Sequence, residues 1–160
     1  MEPQFPKPAG KQKSILLFTW AGSIAALLIY LLLPWFISLQ EISSGGEPYT
    51  GFRMILWLLA FVQVGVVLFW TRRALSKDAV LRAVRGTAID PLTYYTGKKM
   101  AAIGMAQSVA VYGLVLALIG RFWDQYILTL IAGALLIWHY PSRRSLDELK
   151  RATEAKDSDK

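Results

Sequence analysis

The sequence predicts an all-α integral membrane protein with four transmembrane helices arranged as two hairpins. Three observations lead to this fold class. Hydrophobic residues make up 54% of the 160 residues and charged residues only 18%, which is too apolar for a soluble domain of this size. The apolar residues form four long stretches, each close to the ~20 residues that cross a hydrocarbon core of about 30 Å. Lysine and arginine gather in the segments that a hairpin arrangement places on one side of the membrane.

The first predicted helix covers 14–37 and follows a basic segment, 1–13, that we expect on the cytoplasmic side. Its apolar part is longer than the h-region of a secretory signal peptide, and no A-x-A-like cleavage site follows it. Pro34 lies near the outer end of this stretch, where the backbone is about to leave the bilayer and a kink costs little. These features predict a retained membrane helix.

The second predicted helix covers 52–71 and leads into a cytoplasmic linker, 72–99. The linker contains "SKDAVLRAVRG", in which Ser76 can cap a short helix that places alanines and valines on one face. The basic residues on its other faces predict contact with anionic lipid headgroups at the cytoplasmic face. Gly86 and Pro91 are expected to break this short helix.

Two further helices, 100–120 and 122–140, form the second predicted hairpin and complete a membrane domain that covers 14–140. A shift of 85 residues aligns "WAGSIAALLIYLLL" of the first helix with "MAQSVAVYGLVLAL" of the third, so that two alanines and a serine match. This alignment favours a parallel duplication of one hairpin. Chance matching of small residues and leucines in two membrane helices explains it equally well, and both interpretations stay open.

The distribution of the cations predicts how the chain crosses the membrane. Of the 18 lysines and arginines, only Arg53 and Arg121 lie at the hairpin tips, and the other 16 lie before, between or after the hairpins. The positive-inside rule then places both termini, including the tail 141–160, in the cytoplasm, as for a bacterial inner-membrane protein. Ser145 and Glu148 have the spacing of a capping box at the start of that tail. We therefore attribute the net charge of +7 to threading and expect no nucleic-acid partner.

Each predicted membrane helix carries a polar side chain at a similar depth. The residues predicted to form this interhelical polar layer are Ser23, Gln63, Gln107, Ser108 and Thr129. Amides and hydroxyls at one level can form hydrogen bonds between helices, worth ~0.6 to 2 kcal/mol each in a membrane. Small residues spaced by four, such as Ala102, Ala106 and Ala110, would let the backbones approach. Adhesion between helices is our first interpretation of the layer, and the lining of a solute path is the alternative.

The stretch "QSVAVYGLVLALI", 107–119, resembles the ion-carrying helix of rotary ATPase proteolipid (c) subunits, in which a carboxylate is followed five residues later by Tyr-Gly. Gln107 takes the carboxylate position, and Tyr112 and Gly113 match the rest. Three departures separate the chain from that family. Glutamine does not titrate near neutral pH, Gln107 is on the first helix of its hairpin instead of the second, and the predicted threading is opposite. The chain is more similar to many small, uncharacterised bacterial four-helix inner-membrane proteins.

The sequence predicts no catalytic residue, cofactor or metal. Cysteine is absent, and the single histidine, His139, has no second histidine with which to hold haem or a metal. Pumps usually need an ionisable group within the bilayer, and we expect none deep in these helices. We therefore expect a non-catalytic accessory, assembly or structural subunit that associates with itself or with a larger membrane complex. The alternatives are an oligomeric channel or small-solute carrier lined by Gln63 and Gln107 and, third, a membrane enzyme.

Overall fold

The computed structural model describes residues 9–36, 48–85, 87, 89–119, 122–142, 147–148 and 151. The helices in this part of the chain are α1 (Ala9–Phe36), α2 (Pro48–Ala74), α3 (Lys77–Ala83), α4 (Pro91–Leu118) and α5 (Phe122–Trp138). The predicted all-α fold class is confirmed. Helices α1, α2 and α4 are long and apolar enough to cross a membrane, whereas α5 is apolar but has only 17 residues. The capping box predicted at Ser145 lies outside the described residues.

Helix α4 begins nine residues before the apolar stretch from which it was predicted. Asp90 is its N-cap, and Asp90 Oδ2 accepts a hydrogen bond from the backbone N–H of Thr93 at 3.0 Å. Pro91 suits the first helical position because no hydrogen bond within the helix needs its missing N–H. Pro91 therefore begins α4, whereas α3 has already ended at Ala83. As a result, Lys98 and Lys99 belong to a membrane-length helix and not to the linker that was expected to hold them.

Helix α3 starts at the cap that the sequence predicts. Ser76 Oγ accepts a hydrogen bond from the backbone N–H of Ala79 at 3.3 Å. The helix is short, ending at Ala83, and the Val84 N–H closes it by bonding to carbonyls of the preceding turn. A side-chain cap of this kind satisfies one of the N–H groups that the first turn leaves without a partner.

The apolar side of α3 packs on protein. Val80 is fully buried in a small core with Leu16 of α1 and Tyr95 of α4. This core lies at the inner end of the bundle, which we define as the end where α2 finishes and α4 begins. The apolar side of α3 is therefore covered by α1 and α4, and contact with anionic headgroups stays a prediction for its basic side. The basic side chains of Lys77 and Arg82 point away from the core and are exposed.

Helix α4 forms the centre of the bundle. It packs extensively against α5 and also against α1 and α2, while α1 and α2 have little or no contact with each other. Ala102, Ala106 and Ala110 on α4 are all buried, which lets the neighbouring helices approach. At Gly113 an added Cβ would lie 3.1 Å from the Cβ of Leu128 on α5. The two hairpins therefore differ in packing, since only the second one pairs its own helices closely.

Helices α1 and α2 leave most of their surface uncovered. In the most apolar window of each, 17% of the residues are buried, against 44% for α4. On α2 the exposed large side chains begin near the outer end of the bundle and continue along the helix, and among them are Phe52, Met54, Ile55, Leu58, Phe61, Val62, Val66 and Phe69. Such faces suit a lipid environment or the helices of another protein.

Candidate functional site

The structure brings part of the predicted polar layer into contact. Ser23 Oγ on α1 lies 3.3 Å from Gln107 Oε1 on α4, and it also lies 3.0 Å from the carbonyl oxygen of Thr19 in its own helix. Gln63 Nε2 on α2 donates to the carbonyl oxygen of Met105 on α4 at 3.5 Å. A polar side-chain contact therefore joins α4 to α1, and another joins α4 to α2.

The other two residues of the predicted layer make no side-chain bond between helices in the described part of the chain. Ser108 Oγ donates to the Met105 carbonyl oxygen at 2.8 Å, within its own helix. That carbonyl therefore accepts from both Gln63 and Ser108. Thr129 on α5 is buried, and its hydroxyl has no hydrogen-bond partner among the described residues.

A second group of polar side chains, which the sequence analysis did not anticipate, lies at the inner end. We call it the inner basic junction, and its members come from α2, α4 and the residues after α5: Trp70, Thr71, Lys98, Lys99, His139 and Tyr140. Helices α2, α4 and α5 converge here because α2 and α5 both end where α4 begins its membrane stretch. Trp20 of α1 adds its ring, which meets the Tyr140 ring edge to face at 5.1 Å between centroids.

Lys99 is the central residue of this junction. Its side chain is 8% exposed, and Nζ donates to the hydroxyl oxygen of Tyr95 at 3.4 Å and to the carbonyl oxygen of Tyr140 at 3.5 Å. Both acceptors are neutral, and no carboxylate of the described residues lies within 4.0 Å of Nζ. Lys99 is the last residue of the predicted linker, 72–99, and lies within α4 in the structure. A usable signal was the i, i+4 spacing of Tyr95 and Lys99, which places them on one face of a helix.

Lys98 is held by aromatic rings from two helices. Its Nζ lies 5.0 Å from the ring centroid of Trp70 on α2 and 5.4 Å from that of Tyr94 on α4. Close by in α2, the guanidinium of Arg73 lies 5.0 Å from the ring centroid of Phe69. An ammonium or guanidinium over an aromatic face is attracted by the ring quadrupole, by about 0.5–1 kcal/mol at exposed sites. These contacts hold the Lys98 ammonium between α2 and α4 and the Arg73 guanidinium on α2.

His139 lies beyond the last residue of α5 and is buried. Its Nδ1 lies 2.7 Å from the carbonyl oxygen of Leu135, and its Nε2 lies 2.9 Å from Thr71 Oγ1. Burial lowers the pKa of His139, a hydrogen bond to Leu135 opposes this, and the charge of Lys99 lowers it further. The neutral ring is therefore favoured, with the proton on Nδ1, while Nε2 lies beside a Thr71 hydroxyl that also bonds to the Val67 carbonyl oxygen. His139 therefore joins the end of α5 to α2.

Three further polar contacts join α5 to α1 and α2. Arg53 on α2 and Asp124 on α5 form a bidentate ion pair, with Nε–Oδ2 at 2.6 Å and Nη2–Oδ1 at 3.0 Å. Gln125 Nε2 donates to the carbonyl oxygen of Tyr30 at 2.5 Å, and the Trp20 indole donates to that of Leu136 at 2.7 Å. These contacts tie α1 and α2 to α5 at levels above and below the predicted layer.

The arrangement positions helices against one another and places a lysine side chain inside the bundle. Within the described ranges, no group of three or more histidine, aspartate or glutamate side chains converges as a metal site would require. No protein family, curated protein or solved structure matches this chain.

Proposed function

We propose that the chain is a four-span protein of the bacterial inner membrane with both termini in the cytoplasm. Helix α5 is the fourth span in this proposal. Its 17 residues reach about 26 Å at 1.5 Å per residue, slightly less than the hydrocarbon core. The contact between Lys99 Nζ and the Tyr140 carbonyl, at 3.5 Å, supports a return of the chain to the side on which α4 starts. The cation distribution supports the cytoplasmic assignment of that side.

The protein acts by helix association, as an accessory, assembly or structural subunit. The observation that carries this proposal is the packing of α1 and α2, each of which contacts α4 along one side and leaves the other side open. Because α1 and α2 hardly contact each other, helices of a second copy or of a larger complex have two separate apolar faces on which to pack. Close helix contact in a membrane comes mainly from surface fit and short polar contacts, and an exposed apolar face provides the first of these.

The inner end is expected to contact anionic lipid headgroups. Lys77 and Arg82 on α3 are exposed, while Val80 fastens α3 to the bundle. Basic side chains within a Debye length of an anionic leaflet contribute about 1 kcal/mol each. The exposed side of α3 therefore orients the inner end toward the cytoplasmic leaflet.

A single-cysteine experiment tests the association. The chain has no cysteine, so each introduced thiol is the only one. Leu58→Cys places it on the exposed face of α2, and Ala60→Cys is the matched control on the side facing α4. With a short bis-maleimide in native membranes, we expect crosslinked products above the monomer mass from Leu58→Cys and none from Ala60→Cys. Monomer alone from a fully reactive Leu58→Cys would contradict the proposal.

A labelling experiment tests the threading. Thr50→Cys lies at the outer end of α2 and Lys77→Cys at the inner end, and both positions are exposed. In intact spheroplasts, a membrane-impermeant maleimide should label Thr50→Cys, and it should label Lys77→Cys only after permeabilisation. The reverse pattern would overturn the orientation.

An oligomeric channel or small-solute carrier is the second candidate. It is favoured by the amides of Gln63 and Gln107, which are half-buried and so not sealed inside the core. In a purified oligomer in liposomes, the double variant Gln63→Leu with Gln107→Leu should abolish solute flux with assembly intact if these amides line a path. Loss of assembly in the same variant would favour adhesion between helices.

A further inference from the structure

The inner basic junction contains a buried positive charge that the described residues do not balance. Lys99 is 8% exposed and has only neutral acceptors, at 3.4 and 3.5 Å, both longer than the usual charge-assisted bond. Removing an ammonium from water without a counter-charge costs several kcal/mol. The ion pair of the described residues, Arg53 with Asp124, lies at the opposite end of the bundle. An anion beside Lys99 would offset this cost.

The neighbours of Lys99 add positive charge on the accessible side. Lys98 follows α4 toward Trp70, and the last turn of α2 carries Arg72 and Arg73, both exposed. The cation–π contacts hold the Lys98 ammonium and the Arg73 guanidinium against aromatic rings. These two side chains therefore lose less conformational entropy when a ligand binds. The inner ends of α2 and α4 thus carry the buried Lys99 together with Lys98, Arg72 and Arg73.

We propose that the inner basic junction binds the phosphate of an anionic phospholipid, with Lys99 behind the phosphate and Lys98 and Arg73 at its exposed edge. This inference rests on the membrane location in the proposed function but not on helix association. Basic pockets between membrane helices on the cytoplasmic side are a recurring way to hold such headgroups.

The surroundings favour a lipid over a free phosphate ion. Trp70 and Tyr94 place amphipathic rings at the junction, and such rings are typical of the level of the headgroups. The exposed apolar face of α2 continues from the junction through Phe69 and Val66. An acyl chain attached to a phosphate at Lys98 therefore has an apolar surface along which to lie.

The test uses the full chain, purified in detergent, delipidated and monomeric. Its thermal unfolding midpoint and its lipid adducts in native mass spectrometry are measured with phosphatidylglycerol, phosphatidylcholine or inorganic phosphate. We expect phosphatidylglycerol alone to raise the midpoint and to form a one-to-one adduct. Lys98→Gln and Lys99→Gln should each weaken the adduct about tenfold, the effect of losing one charged hydrogen bond. Lys11→Gln, at an exposed position of α1, removes the same charge and should change the adduct less than twofold.

Several outcomes would overturn the proposal. Equal effects of phosphatidylcholine, or equal losses of adduct in Lys11→Gln and Lys98→Gln, would mean a diffuse interaction. Stabilisation by inorganic phosphate to the same extent would assign the site to a free anion. A carboxylate of the chain itself could also balance Lys99. In that case the double variant Asp147→Asn with Glu148→Gln would lower the unfolding midpoint as much as Lys99→Gln does, and the proposal would fall. If Lys99→Gln does not fold, the adduct of Lys98→Gln is the deciding measurement. The unfolding midpoint and the lipid adduct are measured on monomers. A negative result in the crosslinking test of helix association therefore does not affect them.

Discussion

At the scale of single residues, Gly113 shows how closely α4 and α5 approach. A Cβ at this position would lie 3.1 Å from the Leu128 Cβ and 3.2 Å from the Gln125 carbonyl oxygen. Gly113→Ala should therefore separate the two helices and destabilise the fold by about 1–3 kcal/mol. Gly104→Ala on the same helix meets nothing within 4 Å and should be neutral or stabilising by up to about 1 kcal/mol. Denaturation of both variants in detergent distinguishes them, and similar losses in both would contradict the packing argument.

The buried His139 makes stability depend on pH. Its pKa in the fold lies below the value of 6.5 for the unfolded chain, so the unfolded chain binds the proton more tightly. The stability is complete above pH 6.5 and falls as the pH is lowered toward the pKa in the fold. Lys99 of α4 and Thr71 of α2 face the ring, and neither offers a negative charge to a protonated imidazole.

We therefore expect the unfolding midpoint to drop as the pH is lowered below 6.5, and to drop less in His139→Gln. Glutamine retains donor and acceptor groups but has no proton to gain in this range. Thermal unfolding of both proteins across this interval is the measurement. An identical pH dependence in the variant would assign the effect to other groups.

At the scale of elements, polar caps determine where the helices begin. Asp90 caps α4 well before the apolar stretch starts, and the preceding loop residues carry no hydrophobic signal for it. Asp90→Ala should cost about 1 kcal/mol, whereas Asp90→Asn, which keeps a capping oxygen, should cost only a few tenths. Chemical denaturation in detergent compares the two. Equal losses would show that the charge of Asp90 matters and not its cap.

The ion pair between α2 and α5 is a second device at this scale. Its arginine side chain is 44% exposed and its aspartate side chain 6%, so solvent screens the pair from one side. A double-mutant cycle with Arg53→Gln and Asp124→Asn should give a coupling energy of about 0.2–1 kcal/mol that shrinks in high salt. A coupling energy of zero would mean that this ion pair does not help to hold α2 against α5.

At the scale of the whole molecule, the polar layer is a small part of the stability. Gln63→Leu with Gln107→Leu removes two contacts between helices, each worth ~0.6 to 2 kcal/mol, and the bundle should stay folded. Ser108→Ala is the control, since Ser108 bonds to a carbonyl of its own helix. Near-equal effects of the two changes, measured by thermal unfolding in detergent, would mean that packing of small residues dominates.

Hydrophobic length predicts the helical class and the approximate position of each helix, because burial of apolar side chains in lipid or protein needs long apolar runs. It does not predict α4 from Pro91, since the first turns of that helix are polar and depend on the Asp90 cap. It also missed Lys99, because a lysine beside an apolar stretch is usually solvated. Only the convergence of α2, α4 and α5 buries it, and that convergence depends on contacts distant in sequence.

The order of synthesis gives the central position of α4 a consequence for biogenesis. A nascent chain leaves the ribosome from its amino end, so α1 and α2 enter the membrane first. Because they pack on α4 and scarcely on each other, both stay without an intramolecular partner until the third long segment has been inserted. Completion of that segment is therefore the step that commits the chain to its tertiary structure. If synthesis stopped before α4 was inserted, α1 and α2 would remain unpaired in the membrane and open to the proteases that degrade unassembled membrane proteins.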